Sequence, residues 1–297
     1  MIDSQSTIGF VGTGVMGASM AGHLMRAGYA LRVHNRTPER AAALVDAGAV
    51  WCDTPGEVAD GADAVITIVG YPADVEQVYL AADGLVAAAS PGTVLVDMTT
   101  SSPILAARIA QEASTRGLKA LDAPVSGGDI GAREARLTIM VGGDAEVFAS
   151  AKSMLLTMGP NVVLQGGPGA GQHTKMCNQI AIAGAMLGAV ESLAYARAAG
   201  LDPSRVLESI TAGSAASWSL ANLVPRMIAG DMAPGFYVRH FIKDMGIALD
   251  SAKQMELDLP GLSLAMSLYE RLAEEGGADL GTQALIELYS QGGVVSA

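Results

Sequence analysis

A glycine-rich segment followed by a lysine and two amides is the part of the sequence best suited to chemistry. Gly166–Gly171 holds four glycines and a proline, and it leads without a helix breaker into the alanine-rich stretch Ile180–Ala199, whose composition favours a helix. Lys175, Asn178 and Gln179 are spaced i, i+3 and i+4, so a helix presents all three side chains on one face. A lone helical lysine more often lies at a solvated surface, but the neighbouring side chains are apolar or small, which favours a buried site.

The composition limits the classes of protein to consider. The 297 residues are 50% hydrophobic and 16% charged, and no apolar run reaches transmembrane length without a charge, glycine or proline. We therefore expect a soluble globular protein with one large domain or two. The formal net charge of −12 argues against broad nucleic-acid binding, which needs a positive surface. An anionic ligand must then be held by backbone N–H groups or by local cations such as Arg36, Lys175 and Lys243.

Cysteine and histidine usage predicts a cytoplasmic protein without a metal centre. Cys52 and Cys177 are too few for a disulfide framework or a thiolate metal site. None of the four histidines shares metal-ligand spacing with another ligating residue. The N-terminal residues carry no basic region, so we expect no signal peptide.

A strand, a Gly-x-Gly-x-x-Gly motif and a helix follow one another near the start of the chain. The apolar run from Thr7 leads into the motif, and a helical pattern then runs to a C-capping glycine, Gly28. In this context the glycines permit a tight turn, close approach of a pyrophosphate to the backbone, and close packing of the helix on the strand. We predict a dinucleotide site whose cofactor contacts include Gly12, Gly14, Val15, Met16 and Gly17.

The end of the second predicted strand, Ala30–His34, bears on which dinucleotide is bound. Sites that prefer NAD usually place an acid here for the ribose 2′-hydroxyl, whereas this chain has Asn35, Arg36 and Thr37. The Arg36 guanidinium and the Thr37 hydroxyl suit a 2′-phosphate. We therefore predict that Asn35, Arg36 and Thr37 contact the cofactor and that the protein prefers NADPH over NADH. Two alternatives are that Arg36 only faces solvent and that the protein is an NAD enzyme without the acid.

Further apolar runs predict a Rossmann-like, mainly parallel sheet. Polar or turn-forming residues follow several of them, and the carboxyl ends of such strands line the ligand crevice; Val69, at one of these ends, is a predicted cofactor contact. The loop of Ser126, Gly127 and Gly128 combines a hydroxyl with two unencumbered N–H groups and could hold a carboxylate, although an ordinary glycine turn is the commoner explanation. The remaining predicted strands are Ala64–Val69, Thr93–Asp97, Leu118–Asp122, Leu137–Val141 and Asn161–Leu164.

Helical patterns dominate after Leu164. We predict an α/β dinucleotide-binding domain over residues 1–165 and an all-helical domain over residues 166–297. Because the second domain is rich in Ala, Leu and Met, we expect some of its apolar faces to be buried in a homodimer or homotetramer. Beyond the long helix, the predicted helices are Pro203–Ala212, Ser217–Ile228, Phe241–Met255, Ser263–Glu274 and Gly281–Ser290.

Four motifs together resemble those of the β-hydroxyacid dehydrogenase family, which includes 3-hydroxyisobutyrate dehydrogenase, tartronate semialdehyde reductase and the glyoxylate/succinic semialdehyde reductases. The resemblance covers nearly the whole chain and implies a Rossmann-like domain followed by a helical domain around one long helix. It also implies NAD(P)-dependent interconversion of a small 3-hydroxy acid and its semialdehyde. The motifs are Gly12–Gly17, Asp122–Gly128, Gly166–Gly171 with Lys175 and Asn178, and Lys243-Asp244.

The resemblance implies roles for individual residues. Lys175 matches the general base for alcohol oxidation and general acid for aldehyde reduction, and Asn178 matches an amide that orients the substrate. The loop from Ser126 to Gly128 matches the segment that grips the substrate carboxylate. Thr100 matches a polar position near both nicotinamide and substrate. Lys243 matches a cofactor contact, supported by the acid that follows it; from spacing alone, that pair could equally be an ordinary surface ion pair.

Three features depart from the family pattern and concern the substrate. Gln179 stands where many members have a second asparagine, and Arg239 with His240 stands where many have apolar residues. Asp129 adds negative charge beside the predicted carboxylate loop. These residues could favour a more polar substrate, or Arg239 and His240 could be salt-bridged at the surface.

Other activities remain as alternatives. The enzyme could act mainly as a tartronate, glyoxylate or succinic semialdehyde reductase. It could instead be a non-catalytic NADP-binding interaction module, although the presence of Lys175 argues against that. Imine reduction is disfavoured because related imine reductases typically lack the Lys/Asn pair. A 6-phosphogluconate dehydrogenase is disfavoured because its helical domain is much longer.

Overall fold

The computed structural model describes residues 2–290, which form two compact units. The units comprise Met1–Lys175 and Met176–Ala297; residues 291–297, at the end of the predicted helical domain, lie outside the described part. The division between the units follows Lys175, whereas the boundary predicted from composition follows residue 165. The first turn of the long helix is hydrogen-bonded to Asp122 in the first unit, so it belongs there by its contacts.

The first unit is organised around one nine-stranded sheet with the order β3-β2-β1-β4-β5-β6-β8-β7 and with β9 paired to β8. All pairs from β3 to β6 are parallel, whereas β8 runs antiparallel to both β6 and β7. The predicted Rossmann-like, mainly parallel sheet is therefore confirmed. The strands are β1 Thr7–Val11, β2 Ala30–His34, β3 Val50–Trp51, β4 Ala64–Thr67, β5 Val94–Asp97, β6 Lys119–Asp122, β7 Val125–Ser126, β8 Thr138–Gly143 and β9 Asn161–Gly166.

Helices cover both faces of this sheet. Phe10 and Ile66 lie in the core on one face, and Val65 and Leu95 lie in the core on the other, because successive strand residues point to opposite sides. The strands are thus buried on both faces, which explains their continuous apolar runs. The helices are α1 Gly17–Arg26, α2 Ala42–Asp46, α3 Pro55–Ala59, α4 Pro72–Leu80, α5 Leu85–Ala88, α6 Pro103–Thr115, α7 Gly128–Arg133 and α8 Ala145–Leu156, with a 3₁₀ turn at Pro38–Ala41.

The second unit is helical around the long helix α9, which begins in the first unit. Met186 and Val190 of α9 share a core with Phe241 and Tyr269, whose rings meet edge to face with centroids 5.0 Å apart. The helices are α9 Ala170–Ala198, α10 Pro203–Thr211, α11 Trp218–Asn222, α12 Val224–Ala229, α13 Val238–Gln254, α14 Pro260–Glu274 and α15 Glu287–Ser290, with 3₁₀ turns at Gly277–Asp279 and Thr282–Ile286.

The structure corrects several predicted elements. The single helix predicted over Ser217–Ile228 is two helices, α11 and α12, because Pro225 cannot donate to the preceding turn and sits in the first turn of α12. The helix predicted over Gly281–Ser290 begins as a 3₁₀ turn. The short strands β3 and β7 were not predicted, since two residues carry no periodic signal.

Among the described helices, α9 is the one long and apolar enough to cross a membrane by length and composition alone. Core helices of soluble proteins pass the same test. Helix α9 carries the buried polar side chains of Gln172, Lys175 and Gln179 and contributes to the core of the second unit.

Candidate active site

The loop between β1 and α1 has the shape that a bound pyrophosphate requires. Gly12 has a φ of +100°, and a Cβ there would overlap the carbonyl oxygen of Ile68. A Cβ at Gly14 would meet no heavy atom within 4 Å, so this part of the backbone is open to a ligand. The buried Thr13 Oγ1 has no hydrogen-bond partner within residues 2–290. These features, ahead of the ten-residue helix α1, fit a dinucleotide phosphate.

The other predicted residues of this loop differ in exposure. Val15 is 65% exposed, whereas Met16 is half-buried and packs against the core of the sheet. Gly17 is buried, and a Cβ there would overlap the carbonyl oxygen of Gly12. The third glycine therefore permits the close approach of α1 to the turn.

Asn35 connects the phosphate loop to the loop after β2. Its Oδ1 accepts a hydrogen bond from the backbone N–H of Thr13 at 3.0 Å, and its Nδ2 donates to the carbonyl of Thr37 at 2.8 Å. The amide thus braces both loops from within the protein. Arg36 and Thr37 are exposed beside it, and the Arg36 guanidinium forms an ion pair with Asp74 at 2.9 Å.

A buried polar network shapes the carboxyl ends of β4 and β5. Asp97 Oδ1 accepts from the Thr67 hydroxyl at 2.8 Å and from the Thr99 N–H at 3.1 Å. The Thr99 hydroxyl in turn accepts from the N–H of Val69 at 2.9 Å. Asp97 therefore helps to fix the two loops that carry the predicted site residues Val69 and Thr100. Thr100 is half-buried.

Burial raises the pKa of the Asp97 carboxyl to about 6, against hydrogen bonds from Thr99 and Thr67 that lower it, and the nearby Asp122 raises it further. A carboxyl whose folded-state pKa is raised stabilises the fold fully below its unfolded pKa of 3.8. That contribution is lost as the pH rises through the folded pKa. The window for this group therefore runs from about pH 4 to about pH 6.

Asp97→Asn is expected to flatten the pH dependence of stability. The shift of roughly two pKa units corresponds to at most about 3 kcal/mol of unfolding free energy. Across the same window, the wild type should therefore lose stability relative to the variant as the pH rises. Urea unfolding of both proteins from pH 4 to pH 8 measures the difference, with the exposed Asp83→Asn as control. A difference that stays constant with pH would contradict the prediction.

Asp122 attaches the start of α9 to the sheet. Its Oδ1 accepts from the N–H of Gly169 at 2.7 Å, and its Oδ2 accepts from the N–H of Gln172 at 2.8 Å. Burial raises the pKa of this carboxyl, and the backbone hydrogen bonds oppose that rise. Gly171 lies so close to the strand that a Cβ would sit 2.6 Å from the Asp122 carbonyl oxygen. Gly171, in the first turn of α9, thus permits the helix and the strand to meet.

Gln172 joins the same helix start to the loop after β5. Its Oε1 accepts from the N–H of Ser101 at 2.9 Å, and its Nε2 donates to the carbonyl of Thr99 at 2.7 Å. Both bonds are buried, so Thr100, between the two residues, is held on each side. Lys175 follows Gln172 by three residues and is 6% exposed. The alternative that Lys175 is an ordinary surface lysine is therefore wrong.

The predicted carboxylate loop continues from the strand that Asp122 ends. Ser126 is half-buried at the end of β7, and Gly127 and Gly128 have φ values of +135° and +63°. Residues with side chains rarely adopt such values, so both glycines serve the backbone path. Asp129, the next residue, forms an ion pair with Arg133 at 3.8 Å, which offsets part of its charge.

In the second unit, four polar side chains form one chain of contacts. Asn178 donates to Gln179 at 2.7 Å, Gln179 donates to Asp244 at 2.7 Å, and Lys243 pairs with Asp244 at 3.0 Å. Gln179 is 1% exposed and Asp244 2%. The surface explanation for Lys243 and Asp244 is therefore wrong. Gln179 stands where many family members have asparagine, and its longer side chain brings the amide to Asp244.

Arg239 and His240, four and three residues before Lys243, differ in their surroundings. Arg239 forms an ion pair with Asp279 and lies over the ring of Tyr237, 4.6 Å from its centroid. Burial lowers the pKa of His240, as do the charges of Lys243 and Arg239. Arg239 thus matches the predicted alternative of a salt-bridged surface residue.

Three residues that organise the site were not among the predicted site residues: Asp97, Asp122 and Gln172. Asp122 opens a motif that we singled out, and Asp97 ends a predicted strand. An acid ending an apolar strand is a usable signal, because a buried carboxylate must be satisfied by neighbouring N–H or O–H groups. Gln172 had no such signal, because its partners lie some seventy residues away in the chain.

Comparisons with known proteins cover nearly the whole chain. Residues 7–167 match the model of the NAD-binding domain of 6-phosphogluconate dehydrogenase. Residues 169–289 match the model described as NAD-binding of NADP-dependent 3-hydroxyisobutyrate dehydrogenase.

Individual relatives agree with both matches. A probable 3-hydroxyisobutyrate dehydrogenase-like protein of Arabidopsis thaliana is 49% identical over 95% of this chain and 85% of its own. The 2-hydroxy-3-oxopropionate reductase of Escherichia coli is 40% identical over 94% of this chain and 96% of its own. The structure of Mycobacterium tuberculosis 3-hydroxyisobutyrate dehydrogenase with L-serine superposes with a TM-score of 0.89 at 31% identity, covering 96% of this chain and 99% of that one. With the phosphate loop and the buried lysine described above, these matches place the chain in the β-hydroxyacid dehydrogenase family, as an NAD(P)-dependent hydroxyacid dehydrogenase or reductase.

Proposed function

We propose that this enzyme interconverts a small 3-hydroxy acid and its semialdehyde with NADP(H), and that Lys175 is the general acid and base. The observation that carries the proposal is the placement of Lys175. This buried side chain lies one turn after Gln172, whose own side chain holds the Thr99–Ser101 loop. A lysine at such a position can exchange a proton with the carbinol oxygen.

The nicotinamide supplies the hydride chemistry when the cofactor is bound. Gly12–Gly17 would hold the pyrophosphate, and the loop from Ser126 to Gly128 would hold the substrate carboxylate through the hydroxyl and backbone N–H groups. Lys175 removes the hydroxyl proton during oxidation and returns one to the oxygen during reduction.

Within the second unit, Asn178 is proposed to orient the substrate and Lys243 to contact the cofactor. Asp244 accepts from Gln179 and pairs with Lys243, so it fixes two side chains of this group. The chain of contacts from Asn178 to Lys243 reduces the conformational freedom of each member, which favours a preorganised site.

The proposed preference for NADPH rests on the end of β2. No acid follows the strand, and Arg36 offers a guanidinium that suits a 2′-phosphate.

The proposal extends to a homodimer or homotetramer, because Trp218 and Tyr195 of the helical unit are 69% and 74% exposed. It extends also to the cytoplasm, where the unpaired thiols of Cys52 and Cys177 would stay reduced.

Initial rates with a panel of substrates test the proposal. NADPH and NADH are each combined with glyoxylate and with succinic, tartronate and methylmalonate semialdehydes. We expect at least one semialdehyde to be reduced, with kcat/KM for NADPH about tenfold or more above that for NADH. A charge-assisted hydrogen bond to the 2′-phosphate supplies a preference of that size. The substrate with the highest kcat/KM separates a 3-hydroxyisobutyrate dehydrogenase from a tartronate semialdehyde reductase, the relative of 40% identity. No turnover of any member would favour the non-catalytic module.

A further inference from the structure

The Arg36–Asp74 ion pair joins two loops on opposite sides of the phosphate loop. Strands β2 and β4 both pair with β1, so they flank it at about 10 Å from each other. Arg36 follows β2, and Asp74 lies in the first turn of α4, after β4. Their bond of 2.9 Å therefore spans the carboxyl end of β1, where the crevice of a doubly wound sheet binds its dinucleotide.

The two partners are held very differently. The Arg36 side chain is 84% exposed and the Asp74 side chain 20%. Asp74 is fixed at the start of α4, since its Oδ2 accepts from the N–H of Tyr71 at 3.0 Å. The other oxygen of Asp74, Oδ1, accepts a hydrogen bond from Nη1 of Arg36. The carboxylate is thus held in place by the backbone of the helix start, whereas the guanidinium is surrounded mainly by solvent.

We infer that Asp74 is a specificity-determining residue, which competes with the 2′-phosphate of NADP(H) for Arg36. This inference rests on the proposed role of Arg36. A 2′-phosphate dianion that binds the guanidinium must displace or share the Asp74 contact, and it meets the repulsion of the fixed carboxylate. A 2′-hydroxyl bears no charge and meets neither cost. Asp74 therefore narrows the difference in affinity between NADP(H) and NAD(H).

The test compares two fragments that differ at the ribose 2′ position, adenosine 2′,5′-bisphosphate and adenosine 5′-monophosphate. Calorimetric titration of the full chain at about 50 mM salt, where surface charges are weakly screened, gives both dissociation constants without any turnover. We expect Asp74→Asn to tighten binding of the bisphosphate about fivefold, the effect of removing one exposed charge contact. Binding of the monophosphate should change less than twofold.

Glu76→Gln is the matched control, because it removes one negative charge from the same helix. Glu76 pairs with Arg108 at 2.6 Å and not with Arg36, so we expect bisphosphate binding to change less than twofold. In an Arg36→Ala background, the gain from Asp74→Asn should disappear. Asp74→Ser, which removes the charge and keeps a polar side chain, is the second variant at this position, and thermal unfolding reports whether either substitution damages the fold.

The variants separate the failure of the inference from the failure of the cofactor assignment. Equal or weaker bisphosphate binding by both Asp74 variants would overturn the inference, as would an equal gain in Glu76→Gln. If Arg36→Ala binds the bisphosphate as tightly as the wild type, the proposed role of Arg36 fails as well. Dissociation constants for NADP⁺ and NAD⁺ in the same variants should follow the two fragments.

Discussion

Replacing Lys175 with alanine is expected to lower kcat at least a hundredfold while the fold and cofactor affinity stay unchanged. General acid–base groups contribute about a hundred- to ten-thousandfold in rate, and no other group takes this role in the proposed mechanism. Lys175→Met is the better-matched variant, because it keeps most of the buried volume and removes the ammonium. Both variants should lower kcat and kcat/KM together, as expected for an interaction made in the transition state.

The measurement combines steady-state rates with two binding checks. Quenching of protein fluorescence by NADPH reports cofactor affinity, and circular dichroism reports the fold. Lys119→Ala is the control, since Lys119 is exposed at the start of β6. Partial recovery of the Lys175→Ala rate by added small primary amines would support a proton-transfer role. Near wild-type turnover in Lys175→Ala would remove Lys175 from the mechanism.

Asp122→Ala is expected to have the largest effect on stability. The change leaves the N–H groups of Gly169 and Gln172 without their acceptors in a buried place. Each unsatisfied buried group costs about 1–3 kcal/mol, so for two such groups we expect the unfolding free energy to fall by about 2–6 kcal/mol. The same two bonds fix the start of α9, from which Lys175 projects. We therefore expect kcat to fall about tenfold or more, since small misplacements of a catalytic group are costly.

Asp144→Ala provides the comparison, because Asp144 also accepts from two N–H groups at a helix start. Those donors belong to Glu146 and Val147, at 2.8 and 3.0 Å, and Asp144 is exposed. Loss of such an exposed cap costs about 0.5–2 kcal/mol, and we expect kcat to be unchanged. Urea unfolding and steady-state kinetics of both variants give the two quantities. Equal effects in the two variants would show that Asp122 is an ordinary helix cap.

Much of the fold could be predicted from the sequence, because the signals for it are local. The long apolar strands and the glycine motif after β1 each carry a periodicity or a backbone requirement within ten residues or so. The prediction of one helix over Ser217–Ile228 was wrong because it followed the helical composition of the whole stretch. Pro225, within that stretch, divides α11 from α12.

By itself the sequence determined the fold class, the dinucleotide loop, the helical second half and the identity of the proposed catalytic lysine. Only the tertiary structure decided that Lys175 is buried and that Asp122 and Gln172 hold the helix start from which it projects. It also decided that Asp74 forms an ion pair with Arg36, whose guanidinium is proposed to bind the 2′-phosphate. The reason is physical. Periodicity and backbone freedom are properties of neighbouring residues, whereas burial and ion pairing depend on partners brought together by the sheet from distant parts of the chain.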